Sequence, residues 1–222
     1  MLVLNLGLEP YAQAWDLQHR LVQARLRGAV GDVVVLLEHE PVITLGRSAD
    51  ASHVVVSAET LDALGISVHR VERGGDVTYH GPGQLVGYPI LRLEDHRMGV
   101  AAYMHALEQV LINALADFDC RAFRREGIIG VWTDGGKIAA LGARIEGGIT
   151  YHGFALNVDP LMEHYSLIIP CGLMGERITS LRQVVSRPIP MTQVRQSVIA
   201  HMGQVFSQSM LETTWEELRA SL

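Results

Sequence analysis

Three places in this 222-residue sequence carry residue types at spacings that suit chemistry. Arg73–Gln84 holds four glycines and one proline in twelve residues. Glycine lets a backbone turn through positive φ or approach a ligand closely. Arg73, Thr78, Tyr79, His80 and Gln84, set between those glycines, are poor core material. The run reads either as a ligand cradle or as a tight hairpin with a solvated tip. It is not a phosphate loop, because the sequence has neither GxGxxG after a strand nor GxxxxGK followed by Ser or Thr.

Cys171 lies between Pro170 and Gly172, which fix the backbone and clear space around the sulfur. A thiol on such a turn is open to a substrate; the other reading is a buried loop cysteine. Cys120, in DFDCRAF, reads as a small buried hydrophobe. Lys137 is the single lysine among 18 basic residues, the other 17 being arginine. A lysine beside a turn is ordinarily a solvated surface residue. Arginine, however, keeps its proton at any useful pH, whereas a desolvated lysine can release one. A lysine kept in so arginine-rich a chain fits a proton-exchanging group, or a cation that holds a neighbouring thiol as thiolate. The ten histidines are scattered, and without HExxH or CxxC no spacing fits a zinc site.

These residues need elements to position them. Residues 2–6 suit a first strand, and 11–27 a helix with Ala14, Leu17, Leu21 and Ala24 on one face. Val33–Leu37 and Val42–Leu45 read as two strands joined by a short turn. Ser57–Leu64 reads as a short helix with Ser57 as N-cap, and Val68–Val71 as a short strand. Residues 99–116 give the clearest helix, with an apolar stripe of Val100, Tyr103, Met104, Leu107, Val110, Leu111 and Ala114. Residues 128–132 and 138–146 form a hairpin around Asp134-Gly135-Gly136, placing Lys137 at the turn. Ile149–Leu156 returns as another strand. The tail is helical over about 192–206 and 213–220, with Thr213 or Thr214 as N-cap. Hairpin-linked strands outnumber crossover helices, so the expected fold is α+β, a mixed and largely antiparallel sheet flanked by helices.

Composition bounds the function. The chain is 48% hydrophobic and 19% charged, a globular balance. No repeat or linker interrupts it, so residues 1–222 are expected to form a single domain. No apolar run nears the roughly 20 residues that span a bilayer, and no targeting segment is visible, so a cytoplasmic protein without a membrane partner is expected. Two cysteines are too few for a disulfide framework, which fits a reducing compartment. A net charge of −6 argues against nucleic acid as partner.

Taken together, the motifs resemble a known family. RGGDVTYHGPGQLVGYP (Arg73–Pro89) resembles the signature of the lipoate-protein ligase B family, the octanoyl-acyl-carrier-protein:protein N-octanoyltransferases. GVWTDGGKIAALGARI (Gly130–Ile145) resembles the family's lysine block, TYHGFALNV (Thr150–Val158) its acyl-pocket block, and IIPCGL with ITSL its nucleophile block. LEHEPVITLGRSA (Leu37–Ala49) fits the family's early hairpin, so the resemblance spans about residues 30–190.

The resemblance implies the mixed sheet shared with biotin and lipoate ligase catalytic domains. It implies Cys171 as the acyl-accepting nucleophile, with Lys137 holding it as thiolate and handling protons. Arg73, Gly74, Gly75, Asp76, Val77, Thr78, Tyr79 and His80 would line the acyl substrate site, with Ala140, Leu141 and Gly142 and with Gly153, Phe154 and Ala155. Neither cofactor nor metal is implied. The implied partners are octanoyl-acyl carrier protein and the lipoyl domains of 2-oxoacid dehydrogenase subunits and the glycine cleavage H protein. His80 and His152 are expected to orient the dyad or the substrate, or simply to be structural. Arg121, Arg124 and Arg125, with Arg47, Arg70 and Arg73, are a candidate docking face for the acidic carrier. Rival readings are an ATP-dependent lipoate or biotin ligase, a cysteine thioesterase, and a carrier-binding module without activity. Pro170-Cys171-Gly172 argues against the ligase.

Overall fold

The structure is a computed structural model that describes residues 1–169 and 176–220. In chain order its elements are β1 (Leu2–Glu9), α1 (Tyr11–Leu26), β2 (Val33–His39), β3 (Val42–Leu45), α2 (Ala58–Ala63), β4 (Ser67–Arg70), β5 (Val77–His80) and β6 (Gln84–Ile90). There follow α3 (Val100–Ala116), β7 (Phe123–Arg125), β8 (Ile128–Thr133), β9 (Gly136–Glu146) and β10 (Ile149–Asn157). The chain ends in α4 (Leu181–Val185), α5 (Met191–Phe206), β11 (Leu211–Thr213) and α6 (Trp215–Arg219).

Among the described residues the strands form two sheets. The larger has eight strands in the order β11-β1-β2-β6-β10-β9-β8-β7, and the smaller has three, β4-β3-β5. In the larger sheet only the β11–β1 and β1–β2 pairs are parallel; the other five are antiparallel. The expected α+β class, mixed and largely antiparallel, is what forms. It follows from the short links between β8, β9 and β10, which leave no room for crossover helices.

Each face of the large sheet is covered by a helix whose apolar spacing the sequence displays. On one face α3 and α5 bury Leu107, Val110, Leu111, Val194 and Val198 against Leu85, Phe154 and Leu156. On the other, α1 buries Leu17, Leu21 and Val22 against Val35, Val86 and Ala155. The tail is tied in: β11 pairs with β1, and Thr214 and Glu217 close a capping box that starts α6. Ser57 caps α2 as expected, accepting from the Thr60 N–H.

One expected pairing does not form. β2 and β3 both exist, but they are not partners. β2 lies between β1 and β6 of the large sheet, whereas β3 lies between β4 and β5 of the small one. The chain leaves one sheet for the other at Glu40-Pro41. A proline cannot donate into a ladder, so the step between sheets falls where a pairing donor is missing. That step turns the face of β5 and its glycine-rich flanks toward β9 and β10.

Leu107 has no exposed surface at the centre of the α3 face. Leu107→Ala is predicted to lower the unfolding free energy by about 3 kcal/mol through lost burial and a residual cavity. Urea denaturation measures this, and a loss below about 1 kcal/mol would show that the α3 face is not the core described.

Candidate active site

The glycine-rich run lies against β9. The Gly74 N–H donates to the Ala143 carbonyl at 3.1 Å. A Cβ at Gly142 would stand 2.8 Å from the Gly74 carbonyl oxygen, so this backbone contact needs a residue without a side chain. The β9–β10 register sets Ala140 opposite Ala155, Leu141 opposite Phe154 and Gly142 opposite Gly153. Three segments distant in sequence thus border one cavity of about 490 Å³, a size common for small-molecule sites.

The cavity wall contains Arg73, Gly74, Gly75, Thr78, His80, Lys137, Ala140, Leu141, Gly142, Gly153, Phe154 and Ala155, all expected from the sequence. Its apolar lining is extended by Val86, Met104, Ile128 and Ile145, and Tyr11, Tyr88 and His152 also contribute. Tyr11 and Met104 come from helices whose spacing marks them only as core. Nothing local in the sequence distinguishes them from neighbouring packing residues.

Three residues of the expected set turn away from the cavity. Strand alternation places Thr78 and His80 toward it and Val77 and Tyr79 on the opposite side. Val77 and Tyr79 are buried with Ile43, Leu61, Ile66 and Ile168. The Tyr79 hydroxyl pairs with His164 Nδ1 at 2.8 Å, and burial pushes its phenol up to about 12. Asp76 Oδ2 pairs with His53 Nδ1 at 2.5 Å. All three anchor the run from behind. Cys171 and its neighbours Pro170, Gly172 and Leu173 lie outside the described residues.

Arg73 is almost wholly buried, with its guanidinium bound to Thr44. Nε and Nη2 donate to Thr44 Oγ1 at 3.1 and 2.9 Å, and Nη2 also donates to the Thr44 carbonyl at 2.7 Å. His80 Nδ1 lies 2.7 Å from Gln84 Oε1. Gln84 Nε2 donates to the Tyr79 carbonyl and to Asn157 Oδ1, which leaves Oε1 as the acceptor and places the His80 proton on Nδ1. Asn157 Nδ2 donates to the Thr179 carbonyl at 3.0 Å, and the Thr179 N–H donates to the Lys137 carbonyl at 2.9 Å. With Thr44 Oγ1 3.5 Å from His80 Nε2, a buried polar chain runs from Arg73 to the Lys137 backbone. The Lys137 N–H donates in turn to the Arg177 carbonyl at 2.8 Å.

Burial decides which cavity groups can exchange protons near neutrality. It lowers His80 to about 3, aided by the nearby His39 and Arg73. It lowers His152 to about 3, aided by Arg73. Both rings are therefore neutral at pH 7. Burial raises the Tyr11 and Tyr88 phenols above their ordinary value, so both keep their protons. Arg73 keeps its charge throughout. The chain's single lysine, Lys137, stands in the same wall. Cys120 lies elsewhere, almost fully buried, with its thiol pushed up to about 11, as befits an inert core residue.

Of the six arginines read as a docking face, Arg47, Arg70 and Arg121 are exposed, whereas Arg73, Arg124 and Arg125 are engaged within the chain. Arg124 stays at the surface, from where Nε donates to the buried Glu108 carboxylate at 3.0 Å and Nη2 to the His105 carbonyl at 2.8 Å. Arg125 pairs with Glu176 at 2.8 Å and lies over the Trp132 ring. Arg73 is buried as described.

The neutral histidines make stability sensitive to acid. An unfolded histidine takes up a proton below about pH 6.5. Folded His80 and His152 resist protonation to about 3, and folded His39 to about 4 because of burial. Stability is therefore intact above pH 6.5 and drains as the pH falls toward 4, by up to about 1.4 kcal/mol per pH unit for each histidine. The urea midpoint should be lower at pH 5.0 than at pH 7.5, with a shallower fall in His80→Gln. Equal midpoints at both pH values would contradict burial of neutral rings.

Comparison with known proteins bears on the family and the fold. Residues 10–203 match the lipoyl protein ligase A/B catalytic domain family. A curated relative from Acidobacterium capsulatum, named octanoyltransferase, is 46% identical in an alignment of 224 positions that covers 94% of this chain and 91% of its own length. A crystal structure of lipoate-protein ligase A bound with ATP superposes with a TM-score of 0.77 over 99% of this chain and 91% of its own, at 16% identity. Biotin protein ligase from Aquifex aeolicus, in complex with biotin and ATP, superposes with a TM-score of 0.56 over 93% of this chain and 70% of its own, at 12% identity. At such identities the two structures establish the fold alone. By matched residues and by relatives, this chain belongs to the lipoyl protein ligase A/B catalytic domain family.

Proposed function

We propose that this acyltransferase moves an octanoyl group from octanoyl-acyl carrier protein to the target lysine of a lipoyl domain, through a thioester on Cys171. The observation that carries the reading is the largely apolar cavity bordered by Gly74, Gly142 and Gly153, with the chain's single lysine in its wall. The octanoyltransferase names of the curated relatives support the same group transfer. The lipoyl domains of 2-oxoacid dehydrogenase subunits and the glycine cleavage H protein are the proposed acceptors, and a cytoplasmic setting fits them. Among the described residues no helix is long and apolar enough to cross a membrane.

In the first half-reaction the Cys171 thiolate attacks the octanoyl carbonyl carbon. The bond to the carrier's sulfur breaks, and that thiolate leaves, taking its proton from the Lys137 ammonium, which becomes a neutral amine. Thioester replaces thioester, so no ATP is consumed. In the second half-reaction the acceptor's lysine amine attacks the acyl-Cys171 carbonyl. The amine gives up a proton to Lys137, the amide forms, and Cys171 departs as thiolate. The amide is more stable than the thioester, which drives the transfer. Val86, Met104, Leu141, Ile145 and Phe154 provide the apolar surface for the acyl chain. The neutral His80 and His152 keep their ring protons throughout and shape the wall.

Incubation with octanoyl-acyl carrier protein and no ATP, followed by intact-mass analysis, tests this reading. The expected result is a single octanoyl adduct that maps to Cys171, is labile to hydroxylamine and is absent in Cys171→Ser. Transfer to the lipoyl domain by Cys171→Ser at the wild-type rate would rule out the covalent route. Release of free octanoate as the main product with a lipoyl domain present would instead favour hydrolysis.

A further inference from the structure

We propose that Trp132 is the positioning residue for Lys137, its indole holding the lysine headgroup at the cavity wall. The inference rests on Lys137 acting as the base in the reaction above.

Trp132 and Lys137 are direct partners in the β8–β9 ladder. Lys137 Nζ lies 5.5 Å from the centroid of the Trp132 ring. This is within the roughly 6 Å at which an indole attracts an ammonium. The lysine stem rests on the strand before it reaches the ring. A Cβ at Gly130 would stand 2.6 Å from Lys137 Cε and 3.2 Å from Nζ, so a side chain at Gly130 would occupy the lysine's path. Gly130 also has φ +142°, a conformation that favours glycine. Its N–H donates at 3.0 Å to Oε1 of Glu108, a carboxylate 2% exposed that also accepts from Arg124. The floor under the stem is therefore fixed from beneath.

The ring is fixed as well. Trp132 is 2% exposed. Arg125 stands with its guanidinium carbon 4.3 Å from the same centroid, and Glu176 holds Arg125 at 2.8 Å. Nothing in this arrangement requires Trp132 to touch a substrate, and it does not line the cavity. Its effect is to restrict a side chain with four rotatable bonds to the region where the proton must be received. Arginine in place of Lys137 would find the same ring but could not exchange the proton.

The single lysine makes the test direct. Protein labelled with carbon-13 at lysine Cε gives one lysine resonance, which the ring current of Trp132 should move upfield. In Trp132→Leu the resonance should return toward that of a solvated lysine. The kcat for transfer to a lipoyl domain should fall about tenfold to a hundredfold, with KM for the acyl donor within about twofold. Trp132→Phe should restore much of both. An unmoved resonance, or an unchanged kcat, in Trp132→Leu overturns the proposal. Should Trp132→Leu not fold, the wild-type resonance decides: a position equal to that of a solvated lysine overturns the proposal. Full activity of Lys137→Met overturns both this proposal and the assigned base. An unmoved resonance in Trp132→Leu, with Lys137→Met inactive, overturns this proposal alone.

Discussion

The site depends on one close backbone approach. Gly74 donates to Ala143, and its carbonyl lies where a side chain at Gly142 would begin. This contact presses the glycine-rich run onto β9 and leaves the cavity between it, β10 and the start of α3. The segments are held by the sheet that adjoins them. The β9–β10 register fixes Gly142 against Gly153, and strand alternation sends Thr78 and His80 inward while Val77 and Tyr79 anchor the run. A small change in this approach would alter the acyl surface, the histidine environment and the polar chain to Lys137 together.

That polar chain shows how a charged site is built in a poorly solvated place. Arg73 is satisfied largely by Thr44, His80 by Gln84, and Gln84 by Asn157, whose amide reaches the Thr179 carbonyl. Each buried polar group in this line has a named partner, which a low-dielectric interior demands. Burial also removes the histidines from acid–base work at neutral pH. The division of labour is clear in physical terms. The rings and the arginine shape the wall, and the lysine is the proposed proton acceptor.

Much of this was legible in the sequence, for identifiable reasons. α1 and α3 declare themselves through apolar residues at helical spacing, and β8–β9 through the Asp134-Gly135-Gly136 turn. Arg73 and Lys137 were legible by residue type and spacing, whereas Gly142 and Gly153 were placed in the site only by the resemblance to the family. The partners of β2 and β3 were not, because an apolar run does not encode which sheet edge it joins. That Arg124 is engaged was hidden for a similar reason. Its partner, Glu108, lies within the apolar stripe of α3 and is recognisable as buried only once β7 and β8 are seen to pack over it. Trp132 reads as an ordinary strand aromatic until its register opposite Lys137 is known.

The account's central claim is that Lys137 takes the proton when the acyl group passes to the acceptor's amine. A single-turnover measurement tests it most directly. Octanoyl-enzyme, formed beforehand and freed of donor, is mixed with a lipoyl domain, and discharge is followed by quenched mass analysis. Wild-type enzyme should lose its adduct as octanoyl-lysine appears on the acceptor, whereas Lys137→Arg should load but discharge about a hundredfold or more slowly, as expected for loss of a general base. Equal discharge rates in the two proteins would contradict the account.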